Sequence, residues 1–210
     1  MFEMMRRSWI RVIAATLTAA ATQWAAAEAV APEALIKKVS GEVIEAVKAD
    51  KAIQSGDVKP IMALVDAKIL PHVNFQRMTA SAVGRYWRQA TPEQKTRLQD
   101  EFKLLLVRTY SGALTQVKDQ VVEMKPMRSK PEDTEVIVRS EVKGKGEPIQ
   151  LDYRMEKAGE TWRIYDVNVL GVWLVENYRA SFAQEIGASG IDGLITKLAE
   201  KNKGAAPTKG

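Results

Sequence analysis

The apolar residues change their spacing between Val117 and Gln120, and this change limits the possible folds more than any other feature. From Pro32 to Val117 they recur at intervals of three and four, the helical period. From Gln120 to Leu170 they alternate with polar residues, the period of a strand. Strands joined by short loops pair as antiparallel neighbours. We therefore expect an α+β fold in which helices cover the apolar face of one curved sheet.

The helical part, about residues 32–117, ends with the best-defined element. Thr91, Pro92 and Gln94 form the pattern of a capping box with proline at the first helical position. Apolar residues then repeat to Val117, which predicts a helix of about seven turns. Helical spacing predicts four shorter elements before it: Pro32–Ala49, Asp57–Leu70, Phe75–Val83 and Gly84–Gln89.

The antiparallel part, about residues 120–170, contains four predicted strands that form a meander. They are Gln120–Met127, Glu135–Val142, Ile149–Glu156 and Trp162–Leu170. Apolar residues recur at the helical period again over about residues 172–201, which predicts two C-terminal helices, Val172–Ile186 and Gly190–Lys201. The last residues, 202–210, are small and polar, so we expect a disordered tail.

Residues 1–27 have the three zones of a cleavable signal peptide. Three arginines precede the uncharged run Val12–Ala27, and small residues occupy its end. This run has 16 residues, whereas a helix that spans a bilayer needs about 20. We expect cleavage near Ala27 and export of the rest of the chain to the periplasm. Residues 28–201 should form one domain.

Composition excludes several kinds of chemistry. The chain has no cysteine and its one histidine is His72, which excludes disulfides, a thiolate nucleophile and paired-histidine metal sites. Its net charge of +5 becomes +3 without the signal peptide, and no block of like charge suggests a nucleic-acid partner. We found no phosphate-binding loop, nucleophile elbow or cluster of metal-binding carboxylates. No catalytic residue, metal or cofactor is expected, and the chain is not expected to be an enzyme.

Two other functions fit the sequence less well. A small-molecule enzyme would need a polar base at the floor of a closed pocket, for which Asp166 or Tyr165 is the candidate and Asp152 and His72 are weaker ones. A periplasmic adaptor that binds only proteins would have a filled core and an exposed apolar patch.

The segment Val167–Val175 carries no charge and is largely apolar at both alternating positions. Such a segment is either covered on both sides or forms the wall of a cavity. This apolar surplus points to binding more than to catalysis.

Several short segments occur in a fixed order along the chain after the signal peptide. They are Leu70-Pro71-His72-Val73-Asn74-Phe75, Tyr86-Trp87, Thr91-Pro92-Glu93-Gln94, Leu151-Asp152-Tyr153, Tyr165-Asp166-Val167, Asn177-Tyr178-Arg179 and Gly190-Ile191-Asp192-Gly193-Leu194. Together they resemble the MlaC (toluene-tolerance) family of periplasmic phospholipid-binding proteins.

The resemblance implies a four-stranded sheet similar to the NTF2-like cone, with an added helical lobe, that encloses the tails of a glycerophospholipid. Proteins of this family are monomeric carriers that maintain outer-membrane lipid asymmetry. Their partners are an outer-membrane lipoprotein–porin complex (MlaA-like) and an inner-membrane ABC lipid transporter complex with an MlaD-like subunit.

Within this interpretation, alternation and helical spacing select the residues that line the lipid tails. From the meander and the segment after it these are Val136, Val138, Leu151, Tyr153, Met155, Val167, Val169, Leu170 and Val175. From the long helix they are Leu105, Leu106, Tyr110 and Leu114. Candidate head-group contacts are the cations Arg85, Arg88, Arg108 and Arg179. A slip of one residue would reverse the faces of a strand.

Trp173 departs from the family pattern, which usually has a small serine after Gly171-Val172. We include Trp173 among the lipid-lining residues, because a large ring there would fill part of the cavity or redirect the following helix.

Overall fold

The computed structural model describes residues 30–117, 119–130 and 132–204. The predicted signal peptide and residues 205–210 lie outside the described residues. The helices are α1 (Pro32–Ala49), α2 (Lys51–Gln54), α3 (Val58–Leu64), α4 (Phe75–Val83), α5 (Pro92–Thr115) and α6 (Leu174–Gly204). The strands are β1 (Val121–Met124), β2 (Glu135–Lys143), β3 (Ile149–Ala158), β4 (Thr161–Val169) and β5 (Val172–Trp173).

The predicted capping box starts α5. The Thr91 hydroxyl accepts a hydrogen bond from the Gln94 N–H at 3.1 Å, and the Gln94 side chain accepts one from the Thr91 N–H at 3.0 Å. The helix predicted over Asp57–Leu70 is less regular than its sequence suggested. Its second half is a π-helical turn, Val65–Ile69, and a 3₁₀ turn then extends to His72.

The sheet is antiparallel with the order β1-β2-β3-β4-β5. The α+β prediction is therefore confirmed, but the expected number of four strands is wrong. The fifth strand forms because the two-residue loop Leu170-Gly171 turns the chain back, so that Val172 pairs with Val169. The sequence lacks the Asn-Gly pair that usually marks such a loop, and α6 consequently begins at Leu174 and not at Val172.

A β-bulge in β4 decides which of its side chains share a face. Met155 is paired with Ile164, whereas the preceding residue Arg154 is paired with Asp166. Tyr165 is therefore an extra residue, and alternation reverses there. Because of this reversal, Val167 lies on the same face as Ile164, and Asp166 lies on the opposite face.

The helices contribute to three apolar clusters, and in the first of these α1 covers the sheet. From α1, Leu35, Ile36 and Val39 pack on buried residues of β2, β3 and β4. The other large cluster lies among α4, α5 and α6, where the Phe102 ring contacts three other aromatic rings. A third cluster joins α1, α2 and α3 to α5. The main contacts of α5 are thus with helices, whereas α1, α4 and α6 also contact the sheet.

The span α6 consists of the two predicted C-terminal helices, which meet at a kink at Gly190, where the backbone is not helical and φ is 74°. The helix also continues past the predicted start of the tail, as far as Gly204. Asn202 is buried there, and its side chain donates hydrogen bonds to the Glu101 backbone and carboxylate. No helix in the described part of the chain is long and apolar enough to cross a membrane.

Candidate functional site

One side of the sheet carries apolar side chains across β2, β3 and β4, and we call it the apolar sheet face. Residues that are paired across antiparallel strands point to the same side. The pairing aligns three rows: Val136–Met155–Ile164, Val138–Tyr153–Val167 and Ser140–Leu151–Val169. Seven predicted lining residues are therefore on one face: Val136, Val138, Leu151, Tyr153, Met155, Val167 and Val169.

Burial decreases along this face on β3 and β4, whereas all three residues of β2 in these rows are buried. In the first row Met155 is fully buried and Ile164 is 4% exposed, because α1 covers them. In the third row Leu151 and Val169 are only half-buried. The apolar sheet face is thus closed at the end that α1 covers and partly open at the other.

A small polar cluster interrupts this apolar surface. The Tyr153 hydroxyl forms hydrogen bonds with the side chains of Ser140 on β2 and Ser40 on α1, and burial raises its pKa above the ordinary value. The Ser140 hydroxyl also donates to the Leu151 carbonyl at 3.2 Å. These bonds attach α1 to the middle of the sheet. The sequence contained no signal for this cluster, since a serine on either element is equally compatible with solvent exposure.

The four lining residues predicted on α5 separate into different surroundings. Leu105 is buried in the cluster among α4, α5 and α6, and Leu106 packs against it. Leu114 packs against the cluster that joins α5 to α1, α2 and α3. Tyr110 is half-buried, and burial raises the pKa of its hydroxyl. Val167 of β4 packs against the same cluster as Leu106.

Three other predicted lining residues lie away from the apolar sheet face. Leu170 is 66% exposed at the β4–β5 loop, and Val175 is buried among the helices. Trp173 is paired with Asn168 and so points to the opposite side of the sheet. There the Arg154 guanidinium lies 3.9 Å from the centroid of its ring.

On that opposite side, the carboxylate of Asp166 is buried, and both of its oxygens accept hydrogen bonds. It accepts hydrogen bonds from the backbone N–H groups of Val175 at 3.1 Å and Val167 at 2.9 Å. Arg154 donates to it at 3.0 Å and also to Glu176. Asp166 therefore caps the start of α6 and attaches that helix to β4, which is a structural role.

We predict that Asp166→Ala lowers the free energy of unfolding by about 2 kcal/mol, because buried donors lose their acceptor. Burial raises the folded-state pKa of Asp166, although its hydrogen bonds and Arg154 act in the other direction. A raised folded pKa means that ionisation opposes folding, and that this cost disappears as the pH falls through the folded pKa. Relative to Asp166→Asn, the wild-type protein should gain stability as the pH is lowered. Urea denaturation at several pH values measures both effects, and a relative loss at low pH would contradict the second.

Two of the other candidate bases, Tyr165 and Asp152, also have structural partners. The Tyr165 hydroxyl donates to Glu135 at 3.1 Å, and the Arg77 guanidinium covers its ring at 3.6 Å. Both oxygens of Asp152 accept from the Gln150 side chain. His72 is half-buried in a 3₁₀ turn. Among the described residues, no group of acidic or histidine side chains could hold a metal ion.

The candidate head-group arginines do not converge on one place. Arg85 and Arg179 line a groove of about 570 Å³ between α4, the following 3₁₀ turn and α6, together with Arg77. Neither Arg85 nor Arg179 forms an ion pair within the described ranges, whereas Arg77 binds Glu135 and Glu156. Arg88 is exposed, and Arg108 is half-buried on α5. The groove shares no lining residue with the apolar sheet face.

Fold and site together define a class of protein, an α+β binding protein that presents a partly open apolar surface to its ligand. Comparison with known sequences identifies the family. The model of the MlaC protein family matches residues 37–200, and the chain belongs to this family. The resemblance noted in the sequence is thereby confirmed.

Individual relatives agree with this assignment. The intermembrane phospholipid transport system binding protein MlaC of Haemophilus influenzae is 22% identical and aligns with 91% of this chain and 92% of its own length. Toluene tolerance protein ttg2D of Pseudomonas putida is 24% identical, over 83% and 84%. A phospholipid-binding protein from Ralstonia solanacearum, solved in complex with a phospholipid, is 45% identical. Its structure superposes with a TM-score of 0.79 and covers 81% of this chain and 96% of that one.

Proposed function

We propose that this chain is a phospholipid-binding transport protein and that the apolar sheet face receives the acyl chains. One observation carries the proposal: a relative with 45% identity and the same fold was solved with a phospholipid bound. The half-buried residues Leu151, Tyr153, Val167 and Val169 support it, because they offer apolar surface that no helix covers completely.

The energetics explain why such a ligand needs an enclosing protein. A diacyl phospholipid exposes on the order of thirty methylene groups, and each costs about 0.8 kcal/mol in water. Free transfer through water would thus cost roughly 24 kcal/mol. We propose that the curved sheet acts as an NTF2-like cone that encloses the tails, and that the protein binds lipid without catalysing a reaction.

The test is to produce residues 28–210 through the natural export route, purify the protein without detergent and record native mass spectra. Organic extraction then identifies what is bound. We expect a stoichiometric phospholipid adduct. A ligand-free protein that also takes no lipid from vesicles would contradict the proposal and favour the enzyme or adaptor interpretation.

The cellular setting is also a proposal. We infer that the signal peptide, residues 1–27, directs the chain to the periplasm and is removed there. The monomeric carrier would then exchange lipid with an MlaD-like subunit of an inner-membrane ABC transporter and an MlaA-like outer-membrane complex. This proposal is supported by the family and by the name of the Haemophilus relative, which places that protein in an intermembrane phospholipid transport system.

The head-group contacts remain a prediction. Among the four candidates, Arg85 and Arg179 are the pair that lines one groove, and the absence of an acidic partner within the described residues leaves their charges available to a phosphate. Arg88 and Arg108 are separate from this pair.

Trp173 allows a sharper prediction about the lining. Because its ring lies under Arg154 on the far side of the sheet, Trp173→Ser should leave the bound phospholipid unchanged in amount and chain length. It should lower the thermal midpoint, since a cation–π contact and apolar area are lost. Native mass spectrometry and a thermal melt measure the two quantities. A shift toward longer acyl chains in the variant would show that the ring does limit the cavity.

A further inference from the structure

The loop between β4 and β5 holds a leucine in an unfavourable backbone conformation. Leu170 and Gly171 both have positive φ, 52° and 87°. Two-residue hairpin loops of this kind favour Asn or Gly at the first position, because an L side chain there crowds the backbone. A residue such as leucine is destabilising in this backbone conformation. Leu170 is 66% exposed, so packing of its side chain does not offset that cost.

Two other exposed apolar residues lie at the same end of the sheet. Ile149 is 38% exposed and Val172 is 48% exposed. The Leu170 N–H donates to the carbonyl of Gln150 at 3.2 Å, which places the loop beside the start of β3. We call Ile149, Leu170 and Val172 the apolar rim.

Two residues of the apolar rim, Ile149 and Val172, continue the apolar sheet face to its open end, and Leu170 lies beside them in the loop. Val172 is paired with Val169, and Val169 with Leu151, so their side chains share that face. Ile149 lies two residues before Leu151 on β3 and points to the same side. Beside the polar cluster of Tyr153 and Ser140, apolar side chains therefore extend from the buried first row, through half-buried Leu151 and Val169, to the exposed rim.

We propose that the apolar rim enters the surface of a phospholipid bilayer, so that acyl chains also pass directly between membrane and protein without crossing water, in addition to the exchange with the two membrane complexes. The inference rests on the proposed function and adds where the lipid enters. A bilayer fits better than a protein partner, because a stable protein interface covers about 800 Å² on each side. Three side chains at a loop are too few for that, but they are enough to reach into the boundary between head groups and acyl chains.

The test is Leu170→Asn, which keeps the loop conformation and removes the apolar side chain. Transfer of a fluorescent phospholipid between vesicles of phosphatidylcholine and phosphatidylglycerol is followed with the full mature chain alone. We expect the transfer rate to fall about tenfold, as for the loss of one buried apolar side chain. The amount of bound lipid should stay unchanged, and the thermal midpoint should rise as the backbone strain is relieved.

Matched variants make the result specific. Val121 is 62% exposed, but it is paired with Lys143 and so points to the other side of the sheet. Val121→Asn should therefore leave the transfer rate unchanged, and Leu170→Met should retain most of it. Leu170→Gly gives a second variant that removes the side chain if the asparagine variant fails to fold.

Two failures are distinguishable. A wild-type chain that carries no phospholipid would overturn the proposed function itself. A lipid-loaded Leu170→Asn chain that transfers lipid at the wild-type rate would overturn only the membrane role of the apolar rim.

Discussion

Replacing Leu151 with arginine should remove the bound phospholipid and leave the protein folded. Leu151 is half-buried in the third row of the apolar sheet face, between Ser140 and Val169. A guanidinium at that position would lie among acyl chains, where an unpaired charge costs several kcal/mol. Without lipid, the long side chain extends to water through the open end, so the fold tolerates it. Native mass spectra should show a stoichiometric adduct in the wild-type protein and none in the variant.

The matched control is Ile137→Arg on the neighbouring strand. Ile137 is exposed to a similar extent as the rim residue Ile149, 38% each, but it lies between Val136 and Val138 and points to the opposite side. This control should keep its lipid. If both arginine variants lose lipid, the effect comes from reduced stability, and if both retain it, the apolar sheet face does not hold the acyl chains.

The largest loss of stability is expected for Phe102→Ala. Phe102 is fully buried on α5, and its ring lies 5.1 Å from the centroid of Tyr178 and 5.3 Å from that of Phe182 on α6. Phe75 completes the cluster at 5.9 Å. Removing the ring leaves a cavity where α5 joins α6 and should lower the free energy of unfolding by about 3–5 kcal/mol.

Urea denaturation of lipid-free protein measures this loss without the contribution of a ligand. Phe102→Leu fills much of the same volume and should cost markedly less. A loss below about 1 kcal/mol for the alanine variant would show that α5 and α6 are held together mainly by other contacts.

Much of the apolar sheet face was predictable because strand alternation is a local property. Val136 and Val138 on β2, like Leu151, Tyr153 and Met155 on β3, share a face wherever those strands are regular. Once antiparallel pairing aligned β2 with β3, these five residues came together as predicted. The start of α5 was equally local, since the capping box involves residues three positions apart.

Other positions could not be decided from the sequence, because a local signal there allows two outcomes. After Tyr165 apolar residues occur at both alternating positions, so either side of this segment could face the core. The bulge places Val167 and Val169 on the apolar side. Leu170 and Trp173 were expected to line the site. A loop with unusual backbone angles exposes the first and turns the second toward Arg154.

By itself, the sequence determined the element types, their order, the α+β class and the family, because these depend on periodicity, capping signals and ordered motifs. Only the tertiary structure decided the short fifth strand, the extension of the last helix to Gly204, and the side of the sheet that each residue of β4 and β5 occupies. Those features depend on a bulge, a loop and contacts between residues far apart in the chain. The physical reason is that side-chain direction in a strand reverses with a single extra residue, whereas composition and period hardly change.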